Sequence, residues 1–421
     1  MKRLITVLGL GRLDPGSKTR SYEETTYAFP SGQQRRGSLF AAMAATEYEV
    51  ERIDCLATED AWEAHGKALE DASPAPVERH AVDAIGGEAD LWRLFQTVVD
   101  IPQAGDRLVL DVTHGFRTMP LIGVVAASVA TLTKDATIEG LLYGAFDQRD
   151  TGTNVTQVID LMPFYNLLQW QAACAEFART GLAGGLLAAL SDETRLPGSV
   201  ASFQQHAGEL ALALTMMNPS AAQASARELA KAAKKIDTTP TGEKIPPVPP
   251  AMRAVAGWVG EACAPLLQHD CAGAPEDRLR HEAALIRWYR DRGHYTQAAT
   301  LLREWLVSLA GWALLGEYPV TKKQRDRAES AIVSLNWKRQ HRKGKCNARP
   351  LRVHLQRLRS QSWLPALLDT WETVTNARNN ITHCAMRREP DPPRTHKDSL
   401  DALVPDRLDA LLAQAHLNSS R

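Results

Sequence analysis

Over the first third of the chain, short apolar runs alternate with segments of helical spacing. "RLITVLG", "YEVERIDCL", "RLVLDVTH", "TIEGLLYGAF" and "TQVIDL" have the length and β-branched content of buried strands. Between them, "GSLFAAMAAT", "EADLWRLFQTVV" and "PLIGVVAASVATL" carry apolar residues at helical intervals. Such alternation predicts a parallel-rich sheet with helices on both faces, a Rossmann-like layout in which ligands sit beyond the carboxyl ends of the strands. After Pro163 the pattern becomes nearly continuous helix, starting at "FYNLLQWQAACAEFA". It breaks at "DTTPTGEKIPPVPP", Asp237 to Pro250, where Pro and Gly preclude a helix, and then resumes to the C-terminus. The expected architecture is α/β plus all-α: an α/β domain over residues 1–165, a helical extension over 166–275 holding the Pro-rich loop 237–250, and a helical domain over 276–421.

A chain of 421 residues with 44% hydrophobic content has ample material for two or three cores. The N-terminal apolar run is too short for a signal peptide or a membrane span, and it reads as the first strand of a cytoplasmic protein. The six cysteines show neither a Cys-x-x-Cys pair nor regular spacing, so neither a disulfide framework nor a zinc site is expected. Net charge is zero but unevenly spread. Thirteen Lys or Arg against Asp326 and Glu329 give +11 between Lys322 and Arg359. One basic segment in a neutral protein points either to a local polyanion site or to a solvated helical face.

The strand Leu108 to Val112 runs into Thr113, His114, Gly115, Phe116 and Arg117, and Pro120 suits the first turn of a following helix. A strand end, a small polar loop and a helix N-terminus supply backbone N–H groups, a hydroxyl, an imidazole and a guanidinium, all good partners for phosphates. The first strand ends in Gly9, Leu10, Gly11 and Arg12, and a doubly wound sheet can bring this loop beside the Thr113 loop to form one anionic-ligand cleft. Three rival readings attach to these residues. "GLGRLD" places Asp14 where a dinucleotide fingerprint needs its third glycine; Asp111 and His114 lack further spaced metal ligands; and Thr113 could simply cap a helix.

"DVTHGFRTMP", Asp111 to Pro120, closely resembles the Asp-x-Thr-His-Gly signature of CRISPR-associated proteins with an N-terminal CARF domain, the Rossmann-like sensor of cyclic oligoadenylates in type III systems. "LGLG", "VIDLMPFYNLLQW" and "IRWYRDRGHYTQAATLLREWLVSL" resemble the same family, and together these stretches take in most of the chain, least so from Gly181 to Cys271. The resemblance implies two CARF domains paired about a two-fold axis with a ring of adenylates lying across both. Its ligand-facing positions fall here on Gly9, Leu10 and Gly11, and on Thr113, His114, Gly115, Phe116 and Arg117. Leu10 and Arg12 stand where many relatives have small polar and aromatic residues. On that resemblance the expected activator is a cyclic oligoadenylate, with cyclic tetra-adenylate favoured over hexa-adenylate.

Near the C-terminus, Leu364, Leu367, Leu368, Trp371, Val374, Ala377, Ile381 and Ala385 recur at helical spacing and define one buried stripe. Arg378 falls near its centre, and a charge there is costly unless paired or facing a shared cavity. His383 lies five residues on, turned by roughly 140° on an ideal helix. The two can meet at one substrate if the helix distorts, if the arginine bends across, or if two chains converge. "RNNITH" resembles the Arg-x(4-6)-His motif of HEPN ribonucleases, whose two copies meet at a dimer interface. That resemblance implies a metal-independent endoribonuclease with Arg378 on the phosphate, His383 moving protons and Asn379 as an orienting partner. The basic run Trp337 to Arg359 would guide RNA, while Trp288, Tyr289, Tyr295, Glu304 and Trp305 fit packing roles. The expected partners are cyclic oligoadenylate, single-stranded RNA and a second copy of the chain, with no membrane, DNA, metal or cofactor. The alternatives are a sensor or scaffold without cleavage, and a ring nuclease using Thr113 or His114 on its own ligand.

Overall fold

The structure, a computed structural model, describes residues 1–13, 19–114, 118–189, 198–238, 250–340, 352–382 and 392–417. The chain divides into two compact units, Met1–Asn166 and Leu167–Arg421.

The first unit contains strands β1 (Lys2–Leu8), β2 (Arg12–Leu13), β3 (Arg20–Ser21), β4 (Thr25–Ala28), β5 (Gln34–Gly37), β6 (Arg52–Ala57), β7 (Val77–Ala81), β8 (Arg107–Asp111), β9 (Thr137–Gly144) and β10 (Val155–Asp160). Its helices are α1 (Phe40–Glu47), α2 (Glu59–Ala72), α3 (Glu88–Asp100) and α4 (Thr118–Thr133). Eight strands form one sheet in the order β5-β4-β10-β9-β8-β1-β6-β7, and β2 pairs with β3 as a small separate ladder. The run β7-β6-β1-β8-β9 is parallel throughout; β10 is antiparallel to β9 and β5 to β4, but β10 and β4 run parallel. Within that parallel run the sequence order reverses between β1 and β8. This is the switch point where loops leaving adjacent strands part and open a crevice.

Side-chain alternation along the strands feeds two cores. Leu4 and Leu8 of β1, Ile53 and Cys55 of β6 and Val109 of β8 pack with α1 and with Leu69 of α2. Ile5 and Val7, Leu56, and Leu108 and Leu110 pack on the opposite face with Leu94 and Val98 of α3 and Ala126 and Ala127 of α4. Both faces are thus covered, as parallel strands with continuous apolar runs require. At the amino ends of the strands, buried Arg3 donates to Asp106 (2.5 Å) and Asp54 (3.2 Å), so this interior cation has two carboxylate partners.

The second unit is helical: α5 (Met162–Thr180, entering from the first unit), α6 (Gly184–Ala189), α7 (Gly198–Thr215), α8 (Pro219–Thr238), α9 (Pro250–Ala262), α10 (Pro275–Asp291), α11 (Tyr295–Leu315), α12 (Lys322–Gln340), α13 (Arg352–Arg359), α14 (Leu364–Thr382), α15 (Pro393–Ala402) and α16 (Asp409–Gln414), with a π-helical turn at Leu403–Leu408. One cluster of buried side chains runs through it from Trp170 to Leu417, including residues on either side of position 275. The 239–249 part of the Pro-rich segment lies outside the described residues.

Trp288, Tyr289 and Trp305 are buried: the Tyr289 hydroxyl donates to the Leu214 carbonyl (2.6 Å) and the Trp305 indole to that of Leu279 (2.9 Å). Arg292 and His294 reach the carbonyls of Ala178 and Thr180, satisfying acceptors in the last turn of α5 that have no helical partner. Helix α11 is long and apolar enough to cross a membrane, but two thirds of it (67%) is buried within the unit.

Candidate functional site

The switch point sets the geometry. β1 and β8 lie side by side in parallel, with Ile5 opposite Leu110, so Thr6 comes level with Asp111, the last residue of β8 and two residues short of the end of β1. The Thr6 hydroxyl donates to Asp111 Oδ2 (2.7 Å), and the Thr113 backbone N–H donates to Asp111 Oδ1 (2.8 Å). Asp111 is only 3% exposed, and both its oxygens are used to hold the strand end and the turn beyond it. That arrangement accounts for this carboxylate without a metal, and among the described residues no three His, Cys, Asp or Glu side chains gather as metal ligands. The Thr113 hydroxyl accepts from the Gly144 N–H (2.8 Å), linking the loop after β8 to the end of β9. The hydroxyl proton is left to donate elsewhere.

The loop after β1 is fixed from below. The Tyr22 hydroxyl donates to the Gly9 carbonyl (2.8 Å), and His65 Nε2 lies 3.0 Å from the Leu10 carbonyl, an acceptor that requires the proton on that nitrogen. These bonds engage the carbonyl oxygens, the loop groups that repel an anion. Gly11 has φ +66°, and a Cβ there would meet the Ser21 carbonyl oxygen at 2.7 Å, so both conformation and space demand glycine. The Tyr22 ring lies between His65 and His114, at 4.7 and 4.6 Å between centroids. Burial raises the Tyr22 hydroxyl above its ordinary range and keeps it a proton donor. Burial also lowers His114 below the ordinary histidine range, with the nearby Asp111 charge pulling the other way and His65 adding to the depression. His114 is therefore a neutral imidazole at pH 7, and its Nε2 has no hydrogen-bond partner among the described residues.

Above these rings a cavity of about 430 Å³ opens, with Gly11, Thr113 and His114 in its wall, together with Tyr143 and Gly144 from the end of β9. Arg12, Glu23 and Arg149 complete one side. The structure thus places residues from the loops after β1 and β8 in one wall. Gly9 and Leu10 lie just behind, bonded through their carbonyls, while Gly115, Phe116 and Arg117 fall outside the described residues. Tyr22, His65, Glu23, Tyr143 and Arg149 were not visible as site residues in the sequence, since none belongs to a motif or a strand-end loop rich in glycine.

In the helical unit, α14 buries Leu367, Leu368, Trp371, Val374 and Ala377 as its spacing predicts. Arg378 is half-buried with Nη1 donating to Asn379 Oδ1 (3.2 Å), while the next residue, Asn380, is buried. His383 lies outside the described residues. Within the basic segment, Arg339 pairs with Asp369 and with Glu372 (2.9 Å) of α14, and Arg325 with Glu304 (2.7 Å), so these two cations serve packing between helices. Residues 341–351, with four of the thirteen Lys and Arg, lie outside the described residues.

No protein-family model matches the chain. Over 96 residues it is 30% identical to CRISPR-associated protein MJ1674 of Methanocaldococcus jannaschii. The match takes in 22% of this chain and only 15% of that relative, so the likeness covers a small part of either protein.

Proposed function

We propose that the sheet unit is a CARF-type sensor of cyclic oligoadenylate and that the helical unit is a HEPN-type endoribonuclease gated by it, in a CRISPR-associated setting. The observation that carries this reading is the convergence of Gly11, Thr113 and His114 on one cavity at the switch point of the sheet. The cavity offers a hydroxyl donor, a neutral imidazole and flanking guanidiniums, which suit the ribose and phosphate groups of a nucleotide. At about 430 Å³ it has the volume of a small-molecule site, below that of a ring of four nucleotides. A second copy of the chain, related by a two-fold axis, would supply the rest.

In the ribonuclease step the RNA 2′-hydroxyl attacks the adjacent phosphorus and the bond to the 5′-oxygen breaks. The attacking hydroxyl loses its proton and the leaving oxygen gains one. The products are a 2′,3′-cyclic phosphate and a 5′-hydroxyl. Arg378 neutralises the phosphate with a fixed cationic fork, and His383 moves the proton near neutral pH. Activation requires the ring to bind the competent arrangement better than the resting one.

The test is cleavage of a fluorescent single-stranded RNA in EDTA by the wild type and His383→Ala, each with and without cyclic tetra- or hexa-adenylate. Cutting that needs a ring and disappears in the variant supports the reading. Ring binding without any cutting leaves a sensor and sinks the ribonuclease.

A further inference from the structure

On one side of the cavity a single carboxylate holds two guanidiniums. Glu23 Oε1 accepts from Arg12 Nη1 (2.9 Å) and Glu23 Oε2 from Arg149 Nη2 (2.5 Å). Arg149 also lies over the Phe146 ring, 4.2 Å from its centroid, which fixes the plane of its fork. The two arginines come from different places: Arg12 directly follows Gly11 and opens β2, and Arg149 lies in the turn between β9 and β10. Glu23 precedes β4, which pairs with β10 and so brings it beside Arg149. A carboxylate bridging two guanidiniums occupies the donors that a phosphodiester, with its two non-bridging oxygens, would engage. The Arg12 arm is 81% exposed, so its bond to Glu23 contributes little in water and is easily exchanged. The Arg149 arm, 25% exposed and stacked, is the better ordered of the two.

We propose that Arg12 and Arg149 form a phosphate subsite of the ligand cavity, and that Glu23 is its resident anion, which an incoming phosphodiester of the adenylate ring must displace. The proposal rests on the sensor reading for the identity of the ligand. Its physical content is a competition: the same two forks serve the carboxylate before binding and the phosphate after it. Once displaced, Glu23 remains close to a second negative charge, so its carboxylate lowers affinity both by holding the donors and by repelling the ligand. A glutamine at this position keeps the shape and loses the charge.

Calorimetric titration of the full chain with cyclic tetra-adenylate, and separately with cyclic hexa-adenylate, tests this. Glu23→Gln is expected to tighten binding roughly tenfold, the scale of one like-charge contact partly screened by solvent. Arg149→Ala should weaken it by a similar factor, and Glu23→Gln should bring little gain in the Arg149→Ala background. Glu23→Ala serves as a second charge-removing variant, and unchanged melting temperatures confirm intact folds. If the wild type binds a ring and neither Glu23 variant binds more tightly, the subsite proposal is overturned while the sensor reading stands. If neither ring binds any of the proteins, both fall.

Discussion

Replacing Asp111 with alanine separates an architectural role from a chemical one. In the native fold the carboxylate accepts one bond from the Thr6 hydroxyl and one from the Thr113 backbone N–H, in a site only 3% exposed. Asp111→Ala leaves the buried Thr6 hydroxyl and the half-buried Thr113 N–H without this partner, at about 1–3 kcal/mol for the first and no more for the second, while relieving the burial of one charge. The net loss should be about 2–4 kcal/mol, confined to the strand ends. Asp111→Asn can keep an oxygen toward Thr113 and turn its amide toward the Thr6 oxygen, so it should lose about 1 kcal/mol. Thr6→Val removes one donor, and combined with Asp111→Ala it should cost less than the two single changes added together, because both act on one bond. Hydrogen–deuterium exchange read by mass spectrometry reports β1 and β8 separately from the helical unit. Protection of those strands that shifts by less than about 0.5 kcal/mol in Asp111→Ala would refute the reasoning, since an orphaned buried hydroxyl alone should cost more than that.

Two further outcomes follow from the same physics. Gly11→Ala places a side chain at φ +66°, worth about 1–2 kcal/mol of backbone strain, and sets a Cβ at 2.7 Å from the Ser21 carbonyl; it should lower the melting temperature of the sheet unit and weaken ring binding, and an unaltered protein by both measures would contradict it. In the helical unit, burial raises Glu282 to about 7, against the weaker pull of a hydrogen bond from Tyr318 and the nearby Arg325. A carboxyl whose folded value lies above its unfolded value of about 4.5 adds stability at low pH and loses it as pH rises toward 7, a change of about 3 kcal/mol. Denaturation of wild type and Glu282→Gln at pH 5 and pH 8 should therefore show the wild type losing stability relative to the variant as pH rises; parallel curves would dismiss the idea.

The strands that sequence reading recovers are β1, β6, β8 and β9, which bury continuous apolar runs, and β10, in which buried and more exposed positions alternate; all lie in or next to the centre of the sheet. β7, "VERHA", is an edge strand with Glu78, Arg79 and His80 in succession, and β4 and β5 are four residues each, so none carries a strong apolar period. Helix α2 escapes for a related reason: of its fourteen residues only Ala61, His65, Gly66 and Leu69 are buried, too few to mark a stripe among its charges. The same division runs through the candidate site. Glycines and polar residues that directly follow a strand are local features, and a doubly wound pattern says which strands are neighbours, so Gly11 could be set near Thr113 and His114 from spacing alone. What faces them across the cavity is not local. Glu23 and Arg149 stand 126 positions apart and meet because β4 joins the sheet in parallel beside β10, through the pairing of Thr26 with Val155. Tyr22 arrives by the same route, following the two-residue β3, and His65 by the packing of α2; neither follows a strand that the apolar pattern marks. A short parallel pairing of this kind has no hairpin turn to announce it, because its partners are joined by most of the unit rather than by a few residues. The half of the cavity carried by strand-end loops is therefore written in motifs, and the half that would distinguish one anionic ligand from another is written in long-range pairing.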